Sequence, residues 1–130
     1  MFQELGWVDA ISSVAAGGAG VSTATGLSFQ SLPVAEIGAI ALTYTGVASP
    51  ATTDVTVTLK GSGGVPDQVL LVKSNSGANA VVYPRIPAVD AAGAAIAASY
   101  TNFIGSGRIQ IDVAQADVGC IVTARVYFKK

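Results

Sequence analysis

Short runs of alternating apolar and polar residues are cut by clusters of Gly, Pro, Asn, Asp and Ser along most of this chain. The clearest run is 54–60, where Val55, Val57 and Leu59 share one side and Thr56, Thr58 and Lys60 the other. Successive side chains of a strand point to opposite faces, so this period marks a half-buried strand. Residues 37–46 place Ile40, Leu42 and Tyr44 on one side in the same way. The run at 68–73, QVLLVK, is apolar on both sides and predicts a central or doubly covered strand. Pro84 and Pro87 confine 80–89 to an edge or a broken strand, because proline donates no ladder bond. DAAG at 90–93 fits a type I turn, with Asp first and Gly fourth. Residues 94–100 return from it as a strand, and GSG at 105–107 predicts another turn.

Two runs close the sequence. Ile109, Ile111 and Val113 form one inward set; Cys120, Val122, Ala124, Val126 and Phe128 form the other. A tight hairpin around 116–117 would place Arg108 opposite Arg125, an unfavourable like-charge pair. A crossing from one sheet to another sends the two arginines to separate outer faces. The conflict therefore predicts a crossing or a shifted register. Turn signals recurring about every 8–12 residues, and seven or eight strands between them, predict an all-β, antiparallel β-sandwich.

Residues 1–27 read differently. Phe2, Leu5 and Val8, with Ile11 or Trp7, fall on one side at helical spacing. The following AAGGAGVSTATG is small, uncharged and glycine-rich, and such backbone is costly to order. We expect an extended N-terminal arm over 1–27, a short amphipathic anchor and then a strap, followed by the sandwich domain over 28–130. An ordinary edge strand plus loop is the alternative.

Composition changes the picture mainly through charge. At 130 residues the chain predicts one domain, able to bury roughly two-thirds of its unfolded surface. Charged residues make up 12% of it, against a usual figure of about 25%. A surface so poor in charge fits a protein largely covered by partners. The net charge of −1 argues against nucleic-acid binding through a basic patch. No Lys or Arg precedes Lys60, whereas Glu4, Asp9, Glu36 and Asp54 do. One subunit could thus present an acidic region to a basic region of its neighbour; scattered solvated charges are the plainer reading.

Candidate chemistry is sparse. The chain has no histidine, which removes the usual triad base and the commonest metal ligand. Asp90 and Asp117 fall in turns, where aspartate serves local backbone bonding, and Asp112 lies on the polar side of a strand. With Glu36 they do not make a convincing acid–base pair. The glycine-rich loops at 61–67 and 105–107 lack the Lys-Ser/Thr ending and the helix of a phosphate loop. The single Cys120 excludes an internal disulfide and reads as a buried thiol. No secretory signal is expected, since the first residues lack a basic stretch and Trp7 and Asp9 interrupt any apolar run, and the Ala/Gly stretch at 14–21 is too short and glycine-rich to span a membrane. No enzyme activity, metal, cofactor or membrane contact is expected. Trp7, Tyr44, Tyr83, Tyr100 and Tyr127 are dispersed, but Tyr127 shares a strand face with Thr123, Arg125 and Lys129. Tyrosine and arginine are common interface anchors.

LTYTGVASPATTDVTVTLKGSGG at 42–64, VKSNSGANAVVYPRI at 72–86 and GSGRIQIDVAQADVGCIVTARVYFKK at 105–130 resemble the small head decoration, or cement, proteins of tailed bacteriophages. The resemblance covers residues 28–130. It implies a jelly-roll-like sandwich and a non-enzymatic virion protein, assembled in the host cytoplasm onto the capsid exterior. Its expected partners are the major capsid protein, across subunit seams, and itself as a homodimer or homotrimer. Other phage roles (tail, fibre or head–tail joining) and a carbohydrate-binding β-sandwich module are the alternatives. Expected contact residues are Phe2, Leu5 and Trp7 on the arm, and Arg125, Tyr127 and Lys129 on the last strand.

Overall fold

The computed structural model describes residues 5–47 and 50–129. The chain is all-β and antiparallel. Among the described residues nine strands run in order: β1 (Leu5–Ile11), β2 (Ser22–Gly46), β3 (Asp54–Leu59), β4 (Gln68–Lys73), β5 (Ala80–Val82), β6 (Ile86–Val89), β7 (Ala95–Thr101), β8 (Ile104–Ala116) and β9 (Cys120–Lys129). Hydrogen bonding follows the order β1-β9-β2-β8-β3-β4, with β5 also on β2 and β6-β7 forming a separate pair.

The sandwich is built on the 25-residue β2. Its first part pairs with β8, from Ser22↔Ala116 to Glu36↔Ile104. Its second part pairs with β9, from Glu36↔Lys129 to Gly46↔Cys120. One layer is therefore β1-β9-β2-β5, and the other is β2-β8-β3-β4. The inward sets meet in one core, in which Val55, Val57, Ile109, Ile111, Ile37, Ile40, Val122 and Val126 are fully buried. Both closing sets, from Ile109 to Phe128, point inward as the alternation predicts. β8 and β9 do not pair with each other, so the chain crosses between layers there. Arg108 stands opposite Ser31 and Arg125 opposite Asp9 and Ala41, which avoids the like-charge pair.

Serving two layers costs β2 its regularity. Its register shifts between Ser22 and Ala24, Leu27 and Ser31, Leu32 and Ala35, and Ile37 and Ala39. Each bulge leaves ladder groups unpaired, and hydroxyls replace the lost partners. Ser28, 1% exposed, accepts from the Ile109 amide (2.9 Å) and donates to the Gln30 carbonyl (2.6 Å). Its own carbonyl accepts from Arg108 Nε at 2.7 Å. Beyond the end of β1, the Ser12 hydroxyl likewise accepts from the buried Val122 amide at 3.0 Å.

Four expectations change. Residues 5–11 are an edge strand on β9 rather than a helical anchor. Residues 12–26 are not a loose strap: Ala15 is 1% exposed and bonds to Cys120, and Ser13 and Ala16 bond to β2. The sheet thus runs across the 27/28 boundary. GSG at 105–107 lies inside β8. Its Gly107, at φ +132, lets β8 pass close to the Lys60 carbonyl, where a Cβ would collide. β4 is an edge strand: Leu70 points inward, while Val69 and Val72 are exposed. The 90–93 turn forms as expected, with the Gly93 amide 3.0 Å from the Asp90 carbonyl.

Ser28→Ala should leave the buried Ile109 amide without a partner and lower unfolding free energy by about 1–3 kcal/mol. Ser31→Ala, on an exposed position of the same bulge, should stay within about 0.5 kcal/mol of wild type. Urea denaturation checks both. Tyr44 gives a pH test. Burial raises its hydroxyl above the ordinary value, only partly offset by its 3.2 Å bond to Ser76. The unfolded chain therefore loses that proton first. Stability should be insensitive to this group below about pH 10 and fall as pH rises from there toward the folded value. Tyr44→Phe should remove that component of the alkaline loss.

Candidate functional site

β1 is held in place by simple alternation. Val8 and Ala10 enter the core; Leu5, Trp7, Asp9 and Ile11 face outward. Gly6 leaves room for the Phe128 ring, which would lie 2.6 Å from an added Cβ. The register then pairs outward residues with outward residues: Leu5 with Lys129, Trp7 with Tyr127, Asp9 with Arg125 and Ile11 with Thr123. The contact residues expected on two separate elements thus lie on one surface. Phe2 lies outside the described residues.

The centre of this surface is locked. Arg125 makes a two-pronged ion pair with Asp9, Nε to Oδ1 at 2.8 Å and Nη2 to Oδ2 at 3.0 Å. Its guanidinium also lies 5.1 Å from the Trp7 ring centroid. The rings of Trp7 and Tyr127 stand 6.4 Å apart at 57°. Hydrogen bonding from Asp9, and secondarily from Tyr127, pushes the Arg125 group above its ordinary value, so it stays charged. A planar guanidinium held in two directions fixes the indole beside it. This pair also shows where an early acidic residue goes: Asp9 meets its basic partner within the chain. Glu36 accepts from Asn102, and Asp54 accepts from Asn75 and Gln115.

Two grooves flank the centre. One, of about 310 Å³, is lined by Gly38, Ala39, Tyr83 and Tyr127 together with Arg85 and Lys129. The other, of about 290 Å³, runs between Trp7, Ile11 and Phe29. Phe29 is 94% exposed and sits on the β2 bulge, which turns its side chain out. The sequence pattern does not single out Phe29, and marks Tyr83 only as one of several dispersed aromatics. Each is a lone aromatic in its own segment, and only the strand pairing brings it near the others.

No protein-family model matches the chain, and no curated protein matches it. Among solved structures, the chain is similar to the family 32 carbohydrate-binding module from C. perfringens NanJ in complex with galactose. The TM-score is 0.47 at 9% identity, over 95% of this chain and 93% of that one. It is also similar to the low-affinity xylan-binding module CBM86 from Roseburia intestinalis, with TM-score 0.38 at 12% identity over 98% and 89%. A third is the extra small virus VLP of the prawn Macrobrachium rosenbergii, with TM-score 0.23 at 13% identity over 97% and 77%. Similarities this low assign no function.

If Arg125 fixes the indole, Arg125→Ala should change the fluorescence of Trp7, the chain's single tryptophan, and raise its quenching by acrylamide. The far-ultraviolet circular dichroism should stay unchanged. Identical quenching in the two proteins would contradict the stacked arrangement.

Proposed function

We propose that this chain is a non-enzymatic structural protein that docks on the outer surface of an assembled phage capsid, across subunit seams, and stabilises the shell. The observation that carries the reading is the outer face of β1 and β9. Leu5, Trp7, Ile11, Phe29 and Tyr127 are 73%, 56%, 57%, 94% and 38% exposed. They surround one Arg–Asp pair, in a chain with few charges. Large exposed apolar patches on a folded domain mark interaction surfaces. Tryptophan, tyrosine and arginine at the centre of such a patch are the residues that dominate binding energy. Their fixed geometry lowers the ordering cost of docking. A clamp across seams needs contact area and multivalent attachment rather than chemistry.

A carbohydrate-binding role is the second reading, favoured by one arrangement. Tyr83 and Tyr127 flank a groove that also reaches Asn102, which gives an aromatic cradle with an amide beside it.

The test is addition of the purified chain to preformed capsids lacking it. Trp7→Ala and Tyr127→Ala, both at outward positions, should each weaken capsid binding by about tenfold or more while leaving the fold intact. Unaltered binding by both variants would contradict the assigned face. Micromolar binding to a glycan panel, lost in Tyr83→Ala, with no capsid binding, would establish the second reading instead.

A further inference from the structure

Among the described residues the β6–β7 hairpin hydrogen-bonds to no other strand, and only Ile86 at its base packs against the core. None of residues 85–102 is buried, and 89–98 are all exposed. The two strands pair only with each other, through Ile86↔Thr101, Pro87↔Tyr100 and Val89↔Ala95. A lone two-stranded hairpin is at best marginally stable in water. This one is a poor candidate for independent order, because alanine fills much of 91–98. It is also internally irregular. Four residues of β7 stand opposite one of β6 between the Pro87 and Val89 pairings. Within that bulge Ala98 adopts φ 56, a left-handed conformation unfavourable to a residue with a Cβ.

We infer that this hairpin is the self-association element of the protein, and that its occupant is the same hairpin of a second copy, across a two-fold axis. Area is the first argument. A compact monomer of 13.0 kDa exposes about 6,300 Å² by surface scaling. This chain exposes 7205 Å². The surplus, about 900 Å², is close to the roughly 800 Å² that each partner contributes to a standard interface. Within the hairpin, 89–98 form a continuous run of exposed residues.

Charge is the second argument. From Ile86 to Ile104 the only charged residue is Asp90. Its Oδ1 accepts from the Ala92 and Ala94 amides at 2.9 and 3.0 Å, so it serves the turn. A two-fold contact brings each patch against itself, which requires a surface without self-repulsion. This hairpin meets that requirement; the outer face of β9, with Arg125 and Lys129, does so less well. Val89, Ile96 and Tyr100, 56%, 47% and 67% exposed, supply the apolar contacts, and the alanines let two backbones approach closely. Pro87 cannot donate to a further strand, which leaves β7 as the more open edge. The inference does not depend on capsid binding, since it concerns a different surface.

The test is sedimentation of the full chain over a range of concentrations. The expected mass is twice 13.0 kDa, and the double variant Ile96→Lys/Tyr100→Lys should sediment as a monomer with unchanged circular dichroism. Hydrogen exchange on the unmodified chain gives an independent reading. Amides of 95–101 should become protected as concentration rises, while those of β1 and β9 should not change. A wild-type chain that remains monomeric, a double variant that keeps the wild-type mass, or exchange in 95–101 that ignores concentration would each overturn the inference.

Discussion

Everything in this fold depends on one strand belonging to two layers. β2 begins beside β8 and ends beside β9, and it changes partner at Glu36, which pairs with both Ile104 and Lys129. A regular ladder cannot turn that corner without slipping. The slips appear as bulges, and each bulge creates buried amides that need acceptors. At the Leu27–Ser31 bulge Ser28 supplies one. Ser28 at this bulge and Ser12 beyond the end of β1 are thus structural members of the hydrogen-bond ladder.

The same arrangement builds the outer face. Because β9 lies between β1 and the second part of β2, the outward residues of three remote stretches become neighbours. Trp7 comes beside Tyr127, and Tyr127 beside Ala39. The small alanine lines a groove together with a large aromatic. The Asp9–Arg125 pair is partly exposed, so its contribution to folding is small. Its consequence is positional: it holds the cation against the indole and keeps the face in one arrangement.

The legible part of the fold was the part with an unbroken period of two. Val55, Val57 and Leu59, and the sets from Ile109 to Val113 and Cys120 to Phe128, face the core as the pattern requires. The crossing between the last two strands was legible through the charge conflict between Arg108 and Arg125. Residues 37–46, the second part of β2, were legible as a strand with Ile40 and Leu42 on one side, which is buried; the first part was not, because its bulges shift the buried positions from 24 to 28, 32 and 35, which breaks the alternation. β1 misled for a different reason. Phe2, Leu5 and Val8 happen to be three apart, so a strand with apolar residues on both faces imitates a helix. β4 misled because its exposed Val69 and Val72 look like core. The candidate face was half legible. Leu5, Trp7, Arg125, Tyr127 and Lys129 could be named, but their meeting depends on a β1–β9 pairing with no local signal; Phe29 joins from the β2 bulge and Tyr83 from beside β5, which pairs with β2.

The central claim is therefore that residues 5–11 are an integral strand of the sheet, and that their outward side chains complete a face begun by β9. Proton–proton Overhauser contacts in solution test it most directly. The account predicts contacts between the Trp7 indole and the Tyr127 ring, and across the backbone from Val8 to Val126 and from Ala10 to Ala124. A folded domain in which β9 shows its contacts to β2, but none to residues 5–11, would contradict it.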